Sequence, residues 1–221
     1  MGRAKEIILK VIPSRIANEF IRKHHYSGKV VPNSTLHFGA FLDGKLHGVL
    51  SYGPSINKKG TINLVENTGW NEFIELNRLV FDDHLPKYSE SRCIAISIKL
   101  LKKNAPQIKW VVSFADGTQC GDGTIYRASG FYLIGIKKNT SLWEKDGIQL
   151  QGMQLYHKMI NPRKGGWKQL TGFQLRYIYL IDKSCKITVP ILPFSKIDEM
   201  NAGMYKGEKI TFKERNVPHK H

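Results

Sequence analysis

Two apolar runs flanking one helical run constrain this chain most. FIELNRLVF at Phe73–Phe81 and IKWVVSFA at Ile108–Ala115 have the length and composition of strands. Between them a helical stretch runs from about Ser89, with Ser89 or Ser91 as its cap, to Lys103, and Ala105-Pro106 ends it. A strand, a helix and a second strand in this order form a parallel pair with a right-handed crossover. The strand carrying Arg78 is therefore expected at the centre of a sheet, splaying from the Trp110 strand to open a cleft. Alternation along it predicts Ile74, Leu76, Arg78 and Val80 on one face, and Phe73, Glu75, Asn77, Leu79 and Phe81 on the other.

Around this unit, Lys5–Ile12 reads as a strand, and a helix is expected over about 15–25, with Ser14 as cap and Gly28 as stop. Ile16, Ala17, Phe20 and Ile21 fall on one face of that helix. Leu36–Leu42 and Leu46–Tyr52 read as a hairpin closed by Asp43-Gly44, since such a turn needs positive φ. Pro54–Gly60 reads as a loop. Thr118–Ser129 reads as a loop with a short helix ending at Gly130, and Phe131–Ile136 and Phe173–Ile181 as further strands. Pro190 and Pro193 interrupt the tail, which is expected to be an extended arm or an edge cover. The order is that of a mixed α/β (α+β) sheet covered by helices, with a domain over 1–182 and a basic C-terminal extension over 183–221.

Charge narrows the partner. Thirty-four Lys and Arg against 18 Asp and Glu leave +16, well beyond the roughly 2–8 charges that solubility asks of a small domain. A field of that sign favours a polyanion, above all nucleic acid. The three cysteines, Cys93, Cys120 and Cys185, are odd in number and lack CxxC spacing, which argues against a disulfide framework or zinc ribbon and for a reducing cytoplasm. No apolar run approaches 18 residues and the start lacks a signal peptide's pattern, so no membrane association is expected.

Several residues could carry chemistry. His25 and Tyr26 end the first helix, where an imidazole can act as base or ligand; the plainer reading is a polar helix end, and His24 could stand in for His25. Arg78, a charge on an apolar strand face, needs an anionic or carbonyl partner, whether a cofactor phosphate or a structural carboxylate. Ser89, Ser91 and Arg92 open a helix, where free N–H groups receive anions, or simply cap it. Asp116 ends a buried strand, the usual place for ligand-facing groups in open sheets, or serves as an Asp-Gly turn. Tyr126 offers a phenol, or is a half-buried ring. Cys120 is more plausibly an incidental thiol than a nucleophile. From His157 to Arg176 the chain has Lys158, Arg163, Lys164, Lys168, Arg176 and Trp167 but no acid, a composition that can follow phosphates and stack on a base, or form a solvated loop with a tucked Trp167.

The element order resembles the GNAT acyltransferase fold, a splayed mixed sheet flanked by helices, although HLPKYSESRC occupies the place of that fold's glycine-rich pyrophosphate loop and holds no glycine. HHYSG near position 25, ELNRL at 75–79, YSESR before the helix, and SFAD followed by GTIYRASGF together resemble the phage Mom family over roughly 15–135, more loosely to 182. That resemblance implies conversion of the adenine N6 amino group in DNA to a methylcarbamoyl-type adduct, an acetyl-CoA-derived carbon source, an association with iron, and protection of phage DNA from restriction. It implies catalytic and metal-binding roles for His25, Tyr26, Asp116 and Tyr126, whose N/O donors suit iron better than a thiolate-seeking ion. CoA thioester phosphates are expected at Ser89, Ser91 and Arg92, where a helix start and clustered donors receive anions, with Arg78 as a further cofactor contact. Duplex DNA with a flipped adenine is the expected partner, because chemistry on a base takes it out of the stack; a homodimer is compatible with this. The alternatives are a conventional N-acetyltransferase of a small amine or protein, and a non-catalytic nucleic-acid-binding protein.

Overall fold

The computed structural model describes residues 3–117, 121–205 and 208–209. The chain divides into two compact units: one comprises 1–114, 125–134 and 177–191, the other 115–124, 135–176 and 192–221.

In the first unit, β1 (Ile8–Val11) is followed by α1 (Ser14–His24), β2 (Leu36–Leu42), β3 (Lys45–Gly53), α2 (Lys58–Ile62), β4 (Phe73–Phe81), α3 (Ser89–Asn104) and the start of β5 (Trp110–Asp116). Most of α4 (Thr124–Ala128), the first residues of β6 (Tyr132–Lys145) and the end of β8 (Lys168–Leu180) complete it. The strand order here is β1-β2-β3-β4-β5-β8-β6. β1 to β4 are antiparallel neighbours, while β4 and β5 are parallel, as the α3 crossover requires. Asp43 and Gly44 both have positive φ (50° and 76°), which matches the twist of the β2–β3 hairpin.

β4 is irregular on both sides. Its ladder with β5 pairs Phe73–Leu76 with Trp110–Ser113, so Asn77–Phe81 runs on past the paired stretch. Against β3, the register slips between Ser51 and Tyr52, which face Arg78 and Leu76 and leave Asn77 as the extra residue of a bulge. The bulge breaks the expected alternation: the buried positions are Phe73, Leu76 and Val80. Two apolar clusters hold the unit. Phe73 stacks on Trp110 with centroids 4.5 Å apart, among Val112, Ile178 and Leu180. Val80 and Val49 receive Ala17, Phe20 and Ile21 of α1, three of the residues that its apolar spacing predicts on that face, while Ile16 is exposed.

Helix starts depart from expectation. Pro13, not Ser14, is the cap of α1, and no side chain caps it. The cap of α3 is Tyr88 in a left-handed conformation (φ 71°), not Ser89 or Ser91, again without a side-chain bond. The loop expected at Pro54–Gly60 contains the start of α2, with Asn57 accepting from the Gly60 N–H.

The second unit holds the rest of β6 and β8, with β7 (Ile148–Gln151) paired to β6 through an Asp146-Gly147 turn, both residues at positive φ. α5 (Gly152–His157) follows β7, and α6 (Ser195–Glu199), β9 (Met204–Tyr205) and β10 (Glu208–Lys209) lie in its C-terminal part. The β6 strand runs well beyond the expected end near Ile136, and β8 starts before the expected Phe173. β7 and α5 have no counterpart among the expected elements. Short polar stretches such as IQLQ carry little hydrophobic period to read.

Candidate active site on the first unit

The segment after α1 lies over β3 and β4. Thr35 N–H donates to the Tyr52 carbonyl (2.8 Å), Asn33 Nδ2 to the Pro54 carbonyl, and Ser34 Oγ to Asn77 Oδ1 (2.8 Å). Gly53 permits this approach: a Cβ there would collide with the Asn33 carbonyl oxygen. Arg78, on β4, donates through Nε to the Lys29 carbonyl (3.0 Å) and through Nη1 to the Asn77 carbonyl (2.8 Å). The partners that its guanidinium demands thus include a backbone carbonyl of this overlying segment.

His25 caps the C-terminus of α1, its N–H bonded to the Ile21 carbonyl (2.9 Å). Its ring lies 4.2 Å from that of Tyr26, which is exposed. The Ser27 N–H donates to His25 Nδ1 (3.1 Å), and Ser27 Oγ lies 2.8 Å from the same atom. A backbone N–H can only donate, so Nδ1 is an acceptor and the neutral ring carries its proton on Nε2. Burial, and then the charge of Arg78, push the His25 pKa down to about 4.

Glu75, two residues before the bulge, opens the ELNRL stretch and reads in sequence as a polar position on a strand face. Burial raises its pKa, while a hydrogen bond from Ser55 and the charge of Arg78 act the other way. His25 and Glu75 thus both feel the same guanidinium, an imidazole kept neutral and a carboxyl shifted toward neutrality. Two buried nitrogens, Asn77 Nδ2 and His37 Nε2, have no hydrogen-bond partner among the described residues. His37 is bonded through Nδ1 to Ser51 Oγ (2.8 Å), the residue facing Arg78 in the ladder. Glu75 and Asn77 lie in the ELNRL stretch at 75–79, but nothing in that stretch assigns either a role; their environment comes from the bulge and from the segment laid over it.

The remaining expected residues are spread over both units. Tyr126 is buried on α4, its ring 5.1 Å from that of Tyr177 and 5.4 Å from that of Phe131. Burial raises the pKa of Tyr52 and the nearby Tyr126 adds to this, while the hydrogen bond with Ser97 Oγ (2.6 Å) acts the other way. Asp116 is the last residue of β5 and belongs to the second unit. Ser89 is fully buried and its hydroxyl donates to the Pro86 carbonyl; Ser91 Oγ donates to the Tyr88 carbonyl (3.2 Å). Arg92 Nη2 donates to the Lys5 carbonyl (3.1 Å), and its buried Nε has no partner among the described residues. Lys158, Arg163, Lys164 and Lys168 are exposed on the second unit, with Trp167 and Arg176 half-buried. Cys120 lies outside the described residues, Cys93 is buried with its thiol pushed up to about 12, and Cys185 is half-buried.

One group of metal-capable side chains stands apart from those expected. Among the described residues, His47, Asp82 and His84 bring ligand atoms within 4.8 Å of one another. His25 does not fit as a ligand: Nδ1 is taken by Ser27, and Nε2 carries the proton.

Known proteins share both the sequence and the architecture. A family model described as the Mom protein family matches residues 6–196. The methylcarbamoylase Mom of Escherichia phage Mu is 38% identical over 165 residues, 74% of this chain. The chain spans 65% of the length of that curated relative. Among solved structures, one described as a phosphinothricin N-acetyltransferase superposes with a TM-score of 0.51 at 12% identity, covering 80% of this chain and 99% of the other. That likeness shows the fold, the mixed sheet flanked by helices of the GNAT acetyltransferases. The IAA acetyltransferase of Bacillus cereus matches at a TM-score of 0.48 and 11% identity, over 79% of this chain and 99% of the other.

Proposed function

The chain belongs to the Mom protein family, and from that premise we propose that it is a transferase that converts the adenine N6 amino group in DNA to a methylcarbamoyl-type adduct, shielding phage DNA from restriction. The observation that carries this reading is the 38% identity to a methylcarbamoylase; Arg78 on β4, whose charge lowers the pKa of both His25 after α1 and Glu75, marks where the chemistry would sit. A group-transfer site for an amine needs a proton acceptor near neutrality and fixed donors beside it. Glu75, its pKa raised by burial, accepts the proton that the attacking amine gives up. His25 Nε2–H and Asn77 Nδ2–H are donors for the oxygen or ring nitrogen of the reacting groups. Burial, assisted by the charge of Arg78, keeps His25 neutral, and Arg78 holds the overlying segment through the Lys29 carbonyl.

A CoA thioester fits the start of α3 in chemical terms. The buried Arg92 Nε lacks a partner among the described residues, and the first turn of a 16-residue helix offers N–H groups and the positive end of its dipole. Arg92 and Ser91 would hold its phosphates, with Ser89 bracing the Pro86 turn and Arg78 on the neighbouring strand; the thioester would supply the activated carbon, with the CoA thiol as leaving group, and an amine or ammonia as second substrate would supply the adduct's amide nitrogen. Iron is different. His25 as hydrogen-bonded is a donor and not a ligand, so it does not fit that metal. Asp116 and Tyr126 remain our candidates as catalytic groups, through carboxylate and phenol. Tyr26 is exposed beside His25 and serves as a candidate surface for the flipped adenine.

Mass analysis of nucleosides from DNA of cells expressing the protein tests the reading. A new adenine adduct, lost in Glu75→Gln, supports it. An acylated small amine or protein with unmodified DNA would replace it with a conventional acetyltransferase, and DNA binding with no acyl product with a binding protein.

A further inference from the structure

The most exposed large apolar side chains of the second unit cluster on one turn. Met159 is 94% exposed, Tyr156 76% and Met153 67%. They belong to α5 and the turn that ends it, and the turn is built rather than loose. Leu155 is fully buried, and Gln151 and Gln154 form a reciprocal capping box at the helix start. At the other end Met159 N–H donates to the Tyr156 carbonyl (2.9 Å) and Ile160 N–H to the Leu155 carbonyl (2.9 Å). Those two bonds make a Schellman turn with Met159 at its left-handed position, φ 56°. Glycine or asparagine is usual there; a methionine bears a conformational cost and gains no burial. Stability alone does not account for that residue at that place.

The surround is basic. From Gly147 to Ile181 the sequence contains no Asp or Glu. Asn161 Oδ1 accepts from the N–H groups of Arg163 (3.1 Å) and Lys164 (3.3 Å), shaping a turn whose two cations are exposed, and Lys158 precedes Met159. A second copy of this chain would bring like charge to like charge. The partner that offers both a dense row of anions and an apolar interior is duplex nucleic acid, whose base stack admits apolar wedges between steps.

We propose that Tyr156 and Met159 form a wedge that enters the base stack of duplex DNA and displaces the adenine to be modified, while Lys158, Arg163 and Lys164 hold the flanking phosphates. This rests on the DNA reading above. It adds that unstacking is performed by residues of the second unit, outside the grouping around Glu75.

The test uses the full chain and a short duplex carrying 2-aminopurine in place of adenine, whose emission rises when the base leaves the stack, with binding followed separately by anisotropy. Wild type should bind and brighten the probe. Tyr156→Ala with Met159→Ala should still bind, yet lose most of the emission rise at saturation, and Tyr156→Phe with Met159→Leu should retain it. Lys158→Gln, Arg163→Gln and Lys164→Gln together should weaken binding and flatten its salt dependence, with the rise restored at saturating protein. Met159→Gly should raise Tm by about 2 °C, since glycine suits the left-handed position, and still lose emission; a purely structural methionine would not separate the two. An unchanged emission rise in the double alanine variant overturns the wedge and leaves the DNA reading standing. A concentration-dependent mass that the double variant abolishes also overturns the wedge, as does binding to neutral vesicles in preference to DNA. Absence of DNA binding by wild type overturns both.

Discussion

Arg78 reaches the Lys29 carbonyl with its Nε at 3.0 Å, which ties β4 to the segment that follows α1. The same guanidinium lies near His25 and Glu75, so one cation influences the protonation of both groups.

The His25 imidazole should titrate near pH 4, not near 6.5, in an NMR titration of its ring protons. Its folded pKa is below the unfolded value, so the unfolded chain binds the extra proton first. Stability from this group is full above about pH 6.5 and is lost as pH falls toward 4, by about 2 kcal/mol once partial exposure is allowed for. Urea midpoints of wild type and His25→Gln should converge as pH falls across that window. A ring that titrates at the ordinary value removes the role given to Arg78.

Glu75 gives the opposite slope. Its raised pKa means the folded state holds the proton longer, so its ionisation costs stability as pH rises above the ordinary carboxylate range. Glu75→Gln should therefore gain in Tm relative to wild type at pH 8 and not at pH 4. The same variant should lower adenine modification by about 100-fold or more, the scale of a lost general base. Nucleoside analysis at equal expression reads the second effect, and modification at the parental level would remove Glu75 from the chemistry.

Gly53→Ala should be among the most damaging small substitutions in the first unit. The new methyl meets the Asn33 backbone, which cannot turn away as a side chain could. A loss of about 1–3 kcal/mol is expected in denaturant unfolding, together with lower activity, because Asn33 and Ser34 belong to the segment over Asn77. Gly44→Ala makes the comparison: no atom lies within 4 Å of its Cβ position, so only the positive φ is penalised, by about 1 kcal/mol, with activity kept.

DNA binding should fall steeply with salt. Replacing Arg163, Lys164 and Lys168 together with Gln should reduce the slope of log K against log salt by up to about three, at about 0.9 for each phosphate no longer neutralised. A slope that does not change would take this turn out of the interface.

Ser91→Asp adds an anion to the first turn of α3 beside Glu90. Calorimetry with acetyl-CoA should show weaker binding, because the helix start then repels phosphate. Equal affinity would move the cofactor elsewhere.

Much of the fold is legible in the chain itself. Phe73–Phe81 forms β4 with the expected bounds, Asp43-Gly44 makes the expected turn, and the run from Ser89 to Asn104 is the crossover helix. These are local matters of apolar period, positive φ and a proline stop. The failures are local too: Ser14, Ser89 and Ser91 look like caps, but the chain direction set by Pro13 and by the left-handed Tyr88 leaves no side-chain cap on α1 or α3.

The sequence by itself determined the strand–helix–strand unit, the excess of positive charge and its acid-free stretch, because periodicity, turn chemistry and net charge are sums over neighbours in the chain. Only the tertiary structure decided which polar residues act together. A one-residue bulge at Asn77 broke the alternation that put Glu75 and Arg78 on opposite faces of β4, and the segment after α1 folded over it. Burial then reversed the ordinary preference of two titratable groups, and Ser27 assigned the His25 proton to Nε2. Desolvation and hydrogen-bond direction depend on what the fold brings near, and no spacing of residue types along a chain carries that information.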